Sequence, residues 1–197
     1  MKQIDPHHDL MLRIAADDEH ALSELVEAVG PALLAFVERS LGSRGHEAED
    51  IAQEAFIRLW RARHRWRPAA TVRTYLFTIA TRLALNRQRG WKRRPPEVSL
   101  ALDDGQELEP ADGAPDPERL AASSQLRRLL AGELASLPTA QRFALLLKTV
   151  GGLRYEEIAE ALGVSAAAVE SLLSRARARL RPRLAAFRTE GKPSSWG

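Results

Sequence analysis

A chain of 197 residues, 45% hydrophobic and without a long apolar run, can build one or two cores and is not expected to cross a membrane. It contains no cysteine, which excludes disulfides and thiolate metal ligands and suits a reducing cytoplasm, and no secretory signal is expected at its start. The net charge of +3 conceals a sharp segregation: residues 1–53 hold four basic and eleven acidic side chains, 54–94 twelve and one, 95–118 none and eight, and 119–197 thirteen and six. Two cationic blocks divided by a purely anionic one predict two modules on a tether, facing polyanionic partners.

Residues 9–62 carry helical periodicity throughout. Leu10 and Ile14, then Ala21, Leu22, Leu25, Val26 and Val29, recur every three or four positions, with Asp17 or Asp18 between them as a cap. Pro31 is expected in the first turn of a new helix that carries Leu33, Leu34, Phe36, Val37 and Leu41 and ends at Gly42. A third helix is expected from near His46, with Glu47, Glu49 and Asp50 against the positive end of its dipole. Ile51, Ala55, Phe56, Leu59 and Trp60 form its inward stripe; Asp50, Gln53, Glu54, Ile57, Arg58 and Arg61 stay outside. Arg61–Arg73 reads as a basic loop broken by Pro68. Trp66 inside it suits two readings, a stacking platform for an unpaired base or a core anchor between solvated charges. The next helix, Thr71–Arg89, turns Val72, Tyr75, Leu76, Ile79, Ala80, Leu83 and Leu85 inward and Thr74, Thr78, Thr81, Arg82, Asn86 and Arg89 outward.

Residues 95–118 are rich in Pro, Gly, Asp and Glu, lack any amphipathic period, and are expected to be a flexible linker. Such a segment spans roughly 27 Å as a coil and about 80 Å when nearly straight. Helical periodicity returns at Leu120, breaks at Leu137-Pro138, and resumes through Phe143, Ala144, Leu145 and Leu147 to Gly151-Gly152. Ile158, Ala159 and Leu162 then share one face of a short helix, Gly163 supplies a left-handed exit, and Ser165 caps a second helix with Val169, Leu172, Leu173 and Ala176 inward. That is the pattern of a helix-turn-helix, and Arg175, Arg177, Arg179 and Arg181 give its second helix the charge that DNA phosphates attract. An ordinary helical corner with a solvated basic face fits the same residues. Thr189–Gly197 is expected to be a disordered tail.

Three stretches in this order, AEDIAQEAFIRLW (48–60), TYLFTIATRLALNRQR (74–89) and LASLPTAQRFALLLKTVGGLRYEEIAEALGVSAAAVESLLSRARARLR (134–181), resemble a bacterial sigma factor of the extracytoplasmic-function (ECF) group of the sigma-70 family. The resemblance implies an all-α protein with two helical domains, 1–94 and 119–188, joined by the acidic linker 95–118 and followed by the tail 189–197. It implies a non-enzymatic transcription initiation factor that binds core RNA polymerase and directs it to promoter DNA, with no metal and no cofactor. Asp50, Gln53, Glu54, Phe56 and Trp60 match the stretch that docks on the polymerase. Arg65, Trp66, Arg73, Tyr75, Thr78, Arg82, Asn86 and Arg89 match the element that opens and reads the minus-ten region. Arg154, Tyr155, Glu156, Ser165, Ala168, Glu170, Ser171, Ser174, Arg175 and Arg179 match the reader of the minus-thirty-five element. The chain departs from the family's pattern at Thr81-Arg82, where many relatives have Arg-Asn, and over Ala168–Leu172. In the family the linker threads toward the RNA path, and an anti-sigma protein commonly covers both domains.

Two other classes were weighed on the same residues. A stand-alone helix-turn-helix regulator would dimerise to read two half-sites, and the sequence offers no long heptad for that. A metal protein or enzyme would need clustered ligands or an activated nucleophile, whereas His7, His8, His20, His46 and His64 are scattered without a metal-binding spacing. With about six cations on DNA phosphates, promoter affinity is expected to fall with salt at a log–log slope near −5. A holoenzyme titration from low to moderate salt measures it, and an unchanged affinity contradicts the electrostatic reading.

Overall fold

The computed structural model describes residues 5–68, 70–93 and 128–190, all helical or in turns, with no strand among them. Four helices make the first domain: α1 (His8–Ala15), α2 (Glu19–Leu41), α3 (Ala48–Ala62) and α4 (Val72–Arg93). The second comprises α5 (residues 128–136), α6 (Thr139–Thr149), α7 (Tyr155–Leu162) and α8 (Ala166–Glu190). Short 3-10 turns, Gly42–Glu47 and Arg63–Arg65, flank α3. The expected linker at 95–118 lies outside the described residues; two residues of the expected tail, Thr189 and Glu190, belong to α8.

The local signals explain most boundaries. Asp18, not Asp17, caps α2, its side chain accepting the Ala21 N–H at 3.1 Å; Asp17 takes the left-handed turn before it, at φ 68°. Gly42 at φ 65° ends α2, and Pro138 precedes α6. Pro31 does not start a helix, as was expected, but sits inside the continuous α2. It lies on the exposed side, where the carbonyl freed by its missing N–H faces solvent, while Leu25, Val29, Leu33, Phe36 and Val37 hold the helix together from the buried side. By length and hydropathy alone α2 would suffice to cross a membrane, but these five buried residues make it the central helix of the core. Val26, expected inward, is 40% exposed.

The largest departure concerns α4. Thr74 and Thr81, expected outward, are buried, and so is Phe77, which the sequence stripe omitted. The reason is that α4 has two packed sides: it lies on α2 and α3 within its own domain and on α7 of the other. The modules are docked, not held apart. Phe36 of α2 is the hinge of that union, its ring 5.2 Å from Phe77 and 6.0 Å, edge-on, from Phe143 of α6. Thr81 satisfies its buried hydroxyl by donating to the Phe77 carbonyl at 2.7 Å. Gly151, where the second domain meets α4, has no room for a side chain: a Cβ there would lie 2.6 Å from the Leu147 carbonyl and 3.1 Å from the Phe77 ring. Replacing Phe36 by Ala should remove aromatic contacts to both domains and cost ~3–5 kcal/mol of stability. Urea unfolding followed by circular dichroism measures this.

Candidate nucleic-acid and polymerase interfaces

The helix-turn-helix is built as its sequence predicts. At its start the Glu157 carboxylate reaches back to the Arg154 N–H at 2.8 Å. At its turn Gly163 adopts φ 68° and ψ 40°, and the Val164 N–H returns to the Ala159 carbonyl at 3.0 Å. Ser165 then caps α8, its hydroxyl accepting the Ala168 N–H at 3.2 Å. Val169, Leu173 and Ala176 are buried, and Leu172 is half-buried. The same rotation turns Glu170, Ser174, Arg175, Arg177 and Arg179 to solvent, with Ala168 and Ser171 at the margin. Arg154 and Glu156 are exposed at the head of α7, while Tyr155 is half-buried under the Lys148 ammonium, 5.3 Å from its ring.

In the first domain, Arg65, Arg82, Asn86 and Arg89 are exposed and make no ion pair among the described residues. Trp66 is half-buried, its ring 5.6 Å from that of His8, so it serves in part as the core anchor. Tyr75 is half-buried, and Thr78 spends its hydroxyl on the Thr74 carbonyl at 2.8 Å. Arg73 is not turned to solvent. It donates to the Gly151 and Val150 carbonyls, each at 2.8 Å, and its guanidinium lies 5.0 Å from the Phe77 ring. Burial lowers its pKa below the ordinary guanidinium value.

On α3, Asp50 and Gln53 are exposed, and Glu54 holds Arg58 at 2.7 Å one turn on. Phe56, matched to the docking stretch and read on the inward stripe of α3, is buried at 8% exposure beneath that stretch. Trp60 is half-buried, covered by the Arg63 guanidinium at 4.1 Å. A cleft of about 620 Å³ between α3 and α4 brings Asp50 of the expected docking stretch and Asn86 of the expected minus-ten stretch into one concavity, beside the Glu47–Arg87 ion pair at 2.6 Å.

Sequence reasoning missed the polar tie between the domains. The Thr74 hydroxyl donates to Glu157 at 3.1 Å, 83 residues away. Burial opposes ionisation of Glu157, but the Arg154 N–H, the Arg154 guanidinium and the Thr74 hydroxyl outweigh it and hold the carboxyl below the usual range. Neither Thr74 nor Glu157 belongs to a motif that would have announced the pairing.

Two family descriptions match this chain: sigma-70 region 2 over residues 25–94 and sigma-70 region 4 over residues 127–180. The chain belongs to the sigma-70 family, in its ECF group. The ECF RNA polymerase sigma-E factor of Escherichia coli K12 is 31% identical over 171 residues, spanning 85% of this chain and 88% of that protein. The ECF sigma factor SigE of Mycolicibacterium smegmatis is 37% identical over 155 residues; the match covers 79% of this chain but 58% of the relative's length. Among solved structures, CnrH in complex with the cytosolic domain of CnrY has a TM-score of 0.61 at 29% identity, covering 90% of this chain and 96% of that one. RpoE of Bartonella quintana, in complex with the anti-sigma factor NepR, has a TM-score of 0.61 at 28% identity, with 82% and 95% covered. The structure thus contains the sigma factor's two family regions, region 2 ending within the segment after α4 and region 4 spanning the helix-turn-helix.

Because its folded pKa is depressed, Glu157 should stabilise the docked sigma factor at neutral pH and lose that contribution as the pH falls through the folded value. Chemical denaturation across pH 3–7 is expected to show less acid destabilisation for Glu157→Gln than for the parent chain.

Proposed function

We propose that this ECF sigma factor divides its work among three faces. Asp50, Gln53 and Glu54, above the buried Phe56 and beside Trp60, present acceptors to a basic surface of core RNA polymerase. Arg65, Trp66, Tyr75, Arg82, Asn86 and Arg89 engage the separated strand of the minus-ten region through cations and aromatic faces. Arg154, Tyr155 and Glu156 with Ser165, Ala168, Glu170, Ser171, Ser174, Arg175 and Arg179 lie along the minus-thirty-five duplex, α8 in the major groove. The observation carrying this reading is the exposed basic edge of α8 set on a complete helix-turn-helix, in a chain of the sigma-70 family.

The factor itself makes and breaks no covalent bond; that chemistry belongs to the polymerase, and the setting is the cytoplasm. Arg73 reaches DNA only after it releases the Val150 and Gly151 carbonyls, so the docked pair must part before the minus-ten face is complete. RpoE of Bartonella quintana is bound by an anti-sigma factor, NepR; an anti-sigma protein that spanned both domains of this chain would hold the docked state.

Run-off transcription with purified core polymerase tests the whole reading, and failure to co-elute with core or to alter initiation refutes it. Arg175→Ala should weaken a promoter carrying the minus-thirty-five element by about 5- to 100-fold while leaving core binding unchanged. Asp50→Ala and Gln53→Ala should do the reverse, and equal core affinity in those variants would remove the docking assignment.

A further inference from the structure

The start of α4 is held by two different parts of the chain. Locally, the Thr71 hydroxyl accepts the Thr74 N–H at 3.1 Å. The Val72 N–H, the first of the helix, is instead taken by the Asp5 carboxylate at 2.8 Å from 67 residues earlier in the sequence. Asp5 is itself fixed, its second oxygen accepting the His7 N–H at 3.0 Å.

The same N-terminal segment grips the basic loop before α4 at three further points. The His8 ring lies against Trp66, tilted by 51° with 5.6 Å between centroids. The His64 Nδ1 lies 3.2 Å from the Ala15 carbonyl. Asp17, in its left-handed turn, is bonded by the Arg63 guanidinium, which in turn covers Trp60. Residues 63–68 contain four cations or potential cations and one large apolar side chain, Trp66, which is only half-buried. Such a loop has little core of its own to fix it, and its position depends on these tertiary partners.

We infer that residues 5–17 form a brace that sets Trp66 and Arg65 in register with α4, making Asp5, His8 and Asp17 positioning residues for capture of the melted minus-ten strand. The brace rests on the reading of residues 65–89 as the minus-ten face. Asp5 acts through Val72: with its carboxylate gone, the first turn of α4 frays and the loop loses the anchor nearest to Arg73. His8 acts through Trp66: its tilted ring and the core beneath fix the orientation of the indole, whose remaining exposed edge is the part a base would meet.

The test uses holoenzyme reconstituted from the full chain and core polymerase, on a promoter fragment with 2-aminopurine in the minus-ten non-template strand. Asp5→Ala should lower the equilibrium fraction opened about fivefold, equivalent to ~1 kcal/mol, the usual worth of a helix cap. Asp5→Asn should restore it in part, to between the Asp5→Ala value and the parent, since its one amide oxygen can accept the Val72 N–H but cannot also accept the His7 N–H. Core affinity, followed by fluorescence anisotropy, should stay within about twofold of the parent for both variants. Opening unchanged in Asp5→Ala, no rescue by Asp5→Asn, or core affinity falling in step with opening overturns the brace. Trp66→Ala and Arg89→Ala separate the two ideas. If they impair opening and Asp5→Ala does not, the brace alone fails; if they too leave opening intact, the minus-ten face is misassigned and the brace falls with it.

Discussion

Everything in this fold depends on Phe36 having neighbours on both sides. In its own domain it meets Phe77, and across the domain boundary it meets Phe143. The apolar side of α2 is covered jointly by its own domain and, through α6, by the second. Close packing then forces the polar groups at the boundary into pairs. Arg73 finds the two carbonyls where α6 ends, and Thr74 finds Glu157 at the head of α7. The aromatic contacts supply area, and the polar contacts fix the rotation of one domain on the other.

Much of this was legible in the chain. The helix-turn-helix could be read residue by residue, because its turn needs a left-handed glycine at 163, its second helix needs a cap at 165, and its periodic apolar positions admit few other arrangements. The exposed α3 residues Asp50 and Gln53 followed from the same periodicity. What could not be read was any face with two packing partners. Thr74 and Thr81 are polar and lie off the apolar stripe of α4, so a single-face rule turns them to solvent; both are buried on a helix packed on two sides, Thr74 where it meets Glu157 of α7. Phe56 followed the periodicity: it was read on the inward stripe of α3 and is buried beneath the stretch that carries Asp50 and Gln53. Pro31 misled for a different reason, since long-range packing of α2 outweighs one lost backbone hydrogen bond on an exposed face.

The candidate faces are also less separate than a linear reading suggests. Asp50 and Asn86 come from stretches with different expected tasks, yet they line one cleft between α3 and α4, along with Arg58 of α3 and Arg87 of α4. If the proposed docking and strand-capture roles hold, the two faces meet in this cleft, which would offer a short physical route for one to influence the other.

The docked arrangement of Arg73 carries a thermodynamic consequence. One guanidinium is bound to two backbone oxygens when the halves are joined, and if it is to hold a DNA phosphate, as proposed, it must first release them. The two states are thus linked by a single free-energy difference, and reciprocity follows. On the proposed reading, any molecule that clamps the halves together would weaken promoter DNA's hold on Arg73 by a certain factor, and the DNA would weaken that clamp by the same factor.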